Sequence, residues 1–325
     1  MVYNYCIEDH NFRGASMRIF SIGEALIDFL PYEEKGFIPV TGGAPANVAA
    51  CAAKLDREAY FIGKVGDDMF GDKIIRELKE AGVNISYLTK TAYANTALSF
   101  VTLRENGERE FAFYRKPSAD MFLSPEDIGD IKFNRDDILH FCSVDLIDMP
   151  VKAATLKAIE LIKRAGGTVS FDPNIRKVLW DDLDEYKKVV NEFLPMADVI
   201  KISEDECEFI TGSADCDEIA KKLLKTAKLV LITFGAKGSR CYSRASVTNQ
   251  KPFPINCVDT TGAGDSFIGT FLSYIDINNI ENTISKALYY ASACSGLVCS
   301  KKGVLTSLPT LIELREYIDS VRDDL

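Results

Sequence analysis

The sequence is short of histidines and of long apolar runs. Only His10 and His140 occur in the chain, which argues against a histidine-built zinc site and against a Ser-His-Asp triad. His140 lies among apolar neighbours, and we expect it to be a core histidine. Apolar runs such as Leu229 to Ile232 are far shorter than the roughly 20 residues needed to cross a bilayer. These shortages exclude a membrane-spanning protein and the commonest histidine-based catalytic sites.

Cationic side chains are also in deficit. Lys and Arg number 38 against 48 Asp and Glu, so the formal net charge is 38 − 48 = −10. Because phosphate backbones and anionic lipids attract basic faces, this balance argues against a nucleic-acid partner and against a membrane-surface partner. The nine cysteines form no Cys-x-x-Cys pair, and their odd number and scatter fit reduced thiols in a cytoplasmic protein.

Strand-like and helical patterns alternate along most of the 325 residues, a length that suits about two domains or one large one. Residues 1–16 are polar and unpatterned, and we expect an unstructured extension there. A helix is predicted by apolar residues spaced three and four apart from Val151 to Ala165. Alternation of this kind predicts an α/β fold with a doubly wound, mostly parallel sheet flanked by helices. The strand candidates are Met17 to Gly23, Tyr60 to Gly63, Ile138 to Ser143, Thr168 to Asp172, Val199 to Ile202 and Leu229 to Phe234.

One β-rich stretch breaks this alternation. Thr96 to Glu105 and Glu108 to Arg115 flank Asn106-Gly107, a dipeptide suited to a type I′ hairpin turn. A lone hairpin is marginally stable, so it needs a partner, for which we propose Pro31 to Thr41. The resulting small sheet is predicted to close over a ligand or to pair with another subunit, and the alternative is a plain surface hairpin.

The most informative segment is Asp259-Thr260-Thr261-Gly262-Ala263-Gly264-Asp265, followed by the apolar pattern of a helix. A glycine turn before a helix presents free backbone N–H groups to an anion. Asp265 can either cap this helix or act as a base. The segment fits neither the dinucleotide fingerprint nor the P-loop, since Phe267 and Thr270 stand where glycine and lysine are needed. In isolation it is equally typical of a capped helix with no site.

A second segment, Gly42-Gly43-Ala44-Pro45-Ala46-Asn47, also places small residues before a helix. Without a ligand it is a tight turn whose asparagine bonds to nearby backbone. Together, in this order and spacing, the two segments resemble the two motifs of the ribokinase-like (PfkB) sugar kinases, from about Met17 to the last helix. Within that family the chain is most similar to the fructokinases, a likeness carried by residues 23–30, 63–68, 113–121 and 171–176.

The resemblance implies ATP-dependent transfer of a phosphoryl group to a sugar. Asp265 would be the general base, and the amides of Gly262, Ala263 and Gly264 would form the anion hole. Six positions match the residues that face the sugar or the transferring phosphoryl: Asp28, Gly42, Gly43, Asn47, Arg115 and Arg176. For the two arginines the alternative is an ordinary surface role.

The nucleotide side is also implied by the resemblance. Thr233, Gly235 and Gly238 match a Thr-x-Gly-x-x-Gly nucleotide turn, and Glu206 matches a carboxylate that organises Mg²⁺ through water. Ser203 and Ser292 stand where relatives have asparagines. Asp259 and Thr261, with carbonyls near Lys301 and Gly303, resemble a K⁺ site.

The activity expected from this resemblance is that of a fructokinase, which transfers the γ-phosphate of ATP to the 6-hydroxyl of fructose. The alternatives are a 2-keto-3-deoxygluconate kinase and a catalytically silent sugar-binding homologue. The expected α/β core comprises residues 17–29, 42–92 and 124–325. A β lid of residues 30–41 and 93–123 would exclude water and join a homodimer.

Overall fold

A computed structural model of the chain describes residues 17–32, 36–103 and 109–321. The predicted extension over residues 1–16 and the predicted turn at Asn106-Gly107 lie outside these ranges. Elements are numbered along the chain. Across the described residues, no helix combines the length and apolar character that a bilayer crossing requires.

Among the described residues, the main sheet has nine strands, of which seven run parallel. Their spatial order is β13-β12-β11-β10-β9-β8-β1-β4-β5, and only β12 and β13 are antiparallel. The predicted strands are all present, with ends that differ by a few residues. The strands are β1 Arg18–Ile22, β4 Glu58–Gly66, β5 Asn84–Thr91, β8 Ile138–Cys142, β9 Thr168–Asp172, β10 Val199–Ser203, β11 Leu229–Thr233, β12 Ser239–Tyr242 and β13 Val247–Gln250.

Helices cover both faces of this sheet, as the alternation predicted. One apolar core lies under α1, α2, α8, α9 and α10, and a second lies under α3 to α7. Parallel strands buried on both faces account for the nearly continuous apolar runs of the sequence. The helices are α1 Ala44–Lys54, α2 Met69–Glu80, α3 Pro125–Ile128, α4 Pro150–Arg164, α5 Leu183–Phe193, α6 Glu204–Thr211, α7 Cys216–Leu223, α8 Ala263–Tyr274, α9 Ile280–Cys299 and α10 Leu311–Ser320.

His140 is fully buried in β8 and has one ring nitrogen 3.1 Å from the Ser170 hydroxyl. Burial lowers the pKa of His140 to about 3, so the ring stays neutral. It is a core histidine, as predicted. Seven of the eight described cysteines are buried, and Cys257 is exposed.

A separate four-stranded sheet has the order β3-β2-β6-β7, with β2 Leu26–Tyr32, β3 Gly36–Gly42, β6 Ala97–Leu103 and β7 Arg109–Tyr114. The antiparallel hairpin of β6 and β7 is present. The predicted segment lies in this sheet, but its direct pairing with the hairpin was wrong: Leu26 to Phe29 of β2 pair with β6, and among the described residues the segment from Gly36 pairs with β2. Pro39 lies in β3 and has no N–H for a ladder, which suits the edge position. The small sheet therefore includes residues 26–29, which the sequence analysis assigned to the core.

Candidate active site

A cavity of about 990 Å³ opens at the carboxyl edge of the parallel strands, beside the small sheet and the first turns of α1 and α8. This edge of a parallel sheet is where ligands bind in open α/β folds. The predicted site residues that line the cavity are Asp28, Gly43, Asn47, Arg115, Arg176, Ser203, Glu206, Thr233, Gly235, Asp259, Thr261, Gly262, Gly264 and Asp265. Four others, Gly42, Ala263, Gly238 and Ser292, do not line it.

The glycine turn at the start of α8 is shaped by two close approaches. Gly262 is the N-cap residue with φ of 76°, and a Cβ there would lie 2.3 Å from Val304 Cγ1. A Cβ on Gly264 would lie 3.0 Å from the ammonium of Lys201. The Ala263 N–H donates to the Thr260 carbonyl at 3.2 Å, whereas within the described residues the N–H groups of Gly262 and Gly264 have no acceptor. The turn therefore offers two free amides to an anion.

Asp265 lies in the first turn of α8 and is 8% exposed. Asn47 Nδ2, from the first turn of α1, donates to Oδ2 at 2.8 Å, and Asn174 Nδ2 donates to Oδ1 at 3.2 Å. Burial raises the pKa of Asp265, while the two amide donors and the charges of Arg176 and Lys201 lower it. These hydrogen bonds orient the carboxylate and favour its ionised form, which is the form that accepts a proton.

Two buried amide oxygens at this place lack donors. Asn47 Oδ1 and Asn174 Oδ1 have no hydrogen-bond partner in the described part of the chain. A buried acceptor without a donor is unfavourable, so a ligand that brings hydroxyl groups would satisfy both atoms. Both asparagines line the cavity.

Asp28 reaches the cavity from β2 of the small sheet. The Ser99 hydroxyl on β6 donates to its Oδ1 at 2.5 Å. Burial raises the pKa of Asp28 to about 6. Gly42 leaves room for this carboxylate, because a Cβ at position 42 would lie 2.2 Å from Asp28 Oδ2. Gly43, with φ of 104°, caps α1 against the backbone of Glu24 and Ala25.

The two predicted arginines differ sharply. Arg115 is 2% exposed, and its guanidinium forms ion pairs with Asp120 and Asp145 and a 3.3 Å hydrogen bond to the Val144 carbonyl. Arg176 is exposed, and within the described residues its guanidinium donates only to the adjacent Ile175 carbonyl. The terminal nitrogens of Arg115 thus bond to the protein, while its buried Nε has no partner in the described residues and the exposed Arg176 has several donors left for a ligand.

Ser203 and Glu206 form a capping box at the start of α6. The Glu206 N–H donates to Ser203 Oγ at 3.3 Å, and the Ser203 N–H donates to Glu206 Oε2 at 2.8 Å. The Ile175 N–H donates to Glu206 Oε1 at 2.7 Å. A carboxylate has about four lone-pair sites, so Glu206 can still accept from metal-bound water. Among the described residues, no cluster of three or more His, Cys, Asp or Glu could hold a metal directly.

On the nucleotide side implied by the resemblance, Thr233 and Gly235 lie at the end of β11 and just after it, and both line the cavity. Gly238 lies outside it and has φ of 99°, where a Cβ would lie 2.2 Å from the Gln250 carbonyl oxygen. Ser292 Oγ donates to the Lys251 carbonyl at 3.2 Å. Close backbone packing therefore accounts for Gly238, and a hydrogen bond to the chain accounts for Ser292.

The Asp259 carboxylate joins two loops. It accepts from the N–H of Thr261 at 2.7 Å and from the N–H of Gly303 at 3.3 Å, and it is 5% exposed. The K⁺ site implied by the resemblance is formed by the segments around Asp259 and Gly303, which this hydrogen bond joins. Carboxylate and backbone oxygens suit a hard cation such as K⁺, so the residues present fit the ion.

Sequence reasoning missed three buried polar residues that line the cavity: Glu24, Asn174 and Lys201. Burial raises the pKa of Glu24 to about 7. The sequence could have revealed Lys201, because burying a charged lysine inside the otherwise apolar strand β10 is costly unless its charge has a function. Asn174 closely follows β9, at the edge where site residues gather.

The match to a family model decides the assignment. The model described as pfkB family carbohydrate kinase matches residues 16–311. The chain belongs to this family. It is 40% identical over 320 residues to Fructokinase-1 of Oryza sativa subsp. japonica, covering 94% of this chain and 99% of that protein. The pfkB fold is likewise shared with a Vibrio cholerae O395 fructokinase crystallised with fructose, ADP and calcium ion. That structure is 34% identical, with a TM-score of 0.87 and coverage of 94% and 99%.

A related pfkB-like structure, the aminoimidazole riboside kinase of Salmonella enterica, is 28% identical with a TM-score of 0.83. It covers 93% of this chain and 99% of that one. The chain is accordingly a sugar kinase with a mostly parallel α/β core and a small separate sheet.

Proposed function

We propose that the protein is an ATP-dependent fructokinase that phosphorylates the 6-hydroxyl of fructose. One observation carries the proposal: the Asp265 carboxylate is buried between two amide donors, directly beside a glycine turn with free N–H groups. A base and an anion site in adjacent residues are what transfer of a phosphoryl group to an alcohol needs. The relatives at about 40% identity are named fructokinases, which supports fructose as the sugar.

In this mechanism Asp265 accepts the proton of the sugar hydroxyl as its oxygen attacks the γ-phosphorus. The amides of Gly262 and Gly264 stabilise the negative charge of the transferring group. Asn47 and Asn174 orient the base, and their free amide oxygens accept hydrogen bonds from sugar hydroxyls. Asp28 binds a further hydroxyl from the small sheet.

Glu206 holds Mg²⁺ through water, and the bound ion supplies neutralising charge to the phosphates. The acidic first turn of α6, with Glu204 and Asp205 also lining the cavity, supports this assignment. Asp259 and Thr261 hold K⁺ near the glycine turn, and the junction of the two loops at Asp259 supports that assignment. Thr233 and Gly235 contact the nucleotide. The protein acts in the cytoplasm, where its buried thiols stay reduced.

A panel of sugars tests the proposal. ADP formation is measured with fructose, 2-keto-3-deoxygluconate, ribose and glucose, each with MgATP. We expect the highest kcat/KM on fructose, with the product identified by NMR as the 6-phosphate. Activity on ketodeoxygluconate without activity on fructose would replace the proposed substrate, and absence of any turnover would favour the silent sugar-binding homologue.

The small sheet also acts as a lid and joins two copies of the chain in a homodimer. Support comes from its exposed apolar side chains, which include Phe37 at 45% and Tyr114 at 66% exposure, both packed on Phe100. Exposed aromatic groups clustered on one sheet are typical of protein interfaces.

Sedimentation velocity tests this interface. We expect the wild type to sediment as a dimer and the variant Phe37→Ser/Tyr114→Ser to sediment as a monomer. Tyr93→Ser is the control, because Tyr93 is 89% exposed but lies outside the four strands. A monomeric wild type, or a variant that remains dimeric, would remove this role from the small sheet.

A further inference from the structure

A lysine is buried in the main sheet directly below the glycine turn. Lys201 is the third residue of β10, and its side chain is 7% exposed. Its strand neighbours Ile200 and Ile202 are fully buried and apolar. Burying an ammonium costs several kcal/mol of desolvation unless a charge partner compensates for it. A lysine at this place therefore needs an explanation.

Asp172, at the end of the neighbouring strand β9, is the partner. Its Oδ2 atom lies 2.9 Å from Lys201 Nζ, and its side chain is 1% exposed. In the part of the chain that the structure describes, no other carboxylate lies within ion-pair distance of this ammonium, and Glu206 acts on it from farther away. One buried carboxylate balances the charge, but an ammonium has three N–H donors. Lys201 also lines the cavity, so the pair is not sealed inside the core.

The ammonium lies against the residue that precedes the base. A Cβ on Gly264 would lie 3.0 Å from Lys201 Nζ, and Gly264 is the chain neighbour of Asp265. The charged groups that act on Asp265 are the cations Lys201 and Arg176 and the carboxylates Asp28 and Asp172. The charge of Arg176 has the larger effect on Asp265, and Lys201, the buried one of the two cations, adds to it.

We propose that Lys201 is a positioning residue for the phosphoryl transfer: its ammonium, anchored by Asp172 below Gly264, keeps the Asp265 carboxylate ionised. The inference rests on the proposed function, in which Asp265 is the base. The alternative is an ion pair that only stabilises the fold. The two differ in their effect on the pH dependence of kcat/KM, which reports the ionisation of the free enzyme.

The test is the pH profile of kcat/KM for fructose in wild type, Lys201→Met, Lys201→Arg and the double variant Lys201→Met/Asp172→Asn. Removing the positive charge raises the pKa of Asp265, so the acidic limb of Lys201→Met moves to higher pH by about one unit. Lys201→Arg keeps the charge and holds the limb near its wild-type position. The control is Lys64→Met, which removes the partly buried ammonium paired with Asp127 at 2.6 Å, away from the cavity.

The double variant serves two purposes. It removes Asp172 as a titrating group, and it avoids an unpaired buried carboxylate that could unfold the protein. Its limb still lies above the wild-type limb, because the lost Lys201 ammonium lies against Gly264, the chain neighbour of Asp265. Urea denaturation of every variant accompanies the kinetics.

Three results would overturn the inference. They are an unshifted limb in folded Lys201→Met, an equal shift in Lys64→Met, and a loss of kcat/KM that is the same at every pH. Failure of the proposed function looks different, since the wild type itself would then phosphorylate no fructose at any pH.

Discussion

Replacing Asp265 by asparagine tests the centre of the site with almost no change of volume. Asn47 Nδ2 and Asn174 Nδ2 each donate to one oxygen of the carboxylate. An asparagine at position 265 keeps one acceptor and turns the other into a donor, which then faces a donor. A buried mismatch of this kind costs about 1–3 kcal/mol of folding free energy.

The loss in rate should be larger than the loss in stability. A positioned general base contributes about 10²- to 10⁴-fold, which corresponds to about 3–5 kcal/mol of activation free energy. We therefore expect Asp265→Asn to lower kcat by that factor while the KM for fructose changes little. A coupled assay of ADP formation gives both constants, and urea denaturation gives the free energy of unfolding.

A matched variant separates the two effects. In Asn47→Asp/Asp265→Asn the donor and acceptor exchange places, so the amide now at position 265 donates to the carboxylate now at position 47 and still accepts from Asn174. We expect the stability to return to within about 1 kcal/mol of wild type, while kcat stays low because position 265 holds no base. If the single variant keeps kcat within tenfold of wild type, Asp265 is not the base.

Three further predictions concern the residues around this base. Gly262→Val, whose Cβ would lie 2.3 Å from Val304 Cγ1, should lower kcat at least tenfold. Added Val304→Ala removes the clash and should recover only part of the lost stability and none of the rate, because a φ of 76° remains strained for valine. The pKa of Asp28 is raised to about 6 in the folded protein, above the unfolded value of about 3.9. Protonation of Asp28 therefore stabilises the fold at low pH, and this stabilisation is lost as the pH rises through 6. Melting curves should then show Asp28→Asn more stable than wild type at pH 7.5 but not at pH 4, with a higher KM for fructose at both. Arg115→Met should lower the free energy of unfolding by about 3–5 kcal/mol in urea, because it leaves two buried carboxylates unpaired, and a loss below 1 kcal/mol would contradict this reasoning.

The sheet and its strands were predictable because the signal is local. The run from Leu229 to Ile232 is apolar, short and bounded by polar residues, which is what a strand buried on both faces requires. The partner of the hairpin was not predictable in the same way. Pairing between β2 and β6 joins residues about 70 positions apart, and no local pattern encodes that contact.

Within the site, the residues of the glycine turns were found, whereas the buried Lys201 of β10 was missed. Gly262 and Asp265 belong to a segment whose composition is unusual on its own. Lys201 depends on Asp172 and on the Gly264 backbone, so its position follows from tertiary packing. Arg115 is the opposite case. An arginine is a residue type that suits a phosphate, but the two carboxylate partners of Arg115 become apparent only in three dimensions.

Strand β2 performs two tasks with one piece of chain. Its middle carries Asp28 toward the cavity, and its far end carries Tyr32, which is 51% exposed at the outer end of the small sheet. In the proposed function, sugar binding by Asp28 and exclusion of water by the small sheet thus depend on the same backbone. Substitutions that disrupt the outer part of the small sheet should therefore weaken sugar binding even when every residue that contacts the phosphate is unchanged.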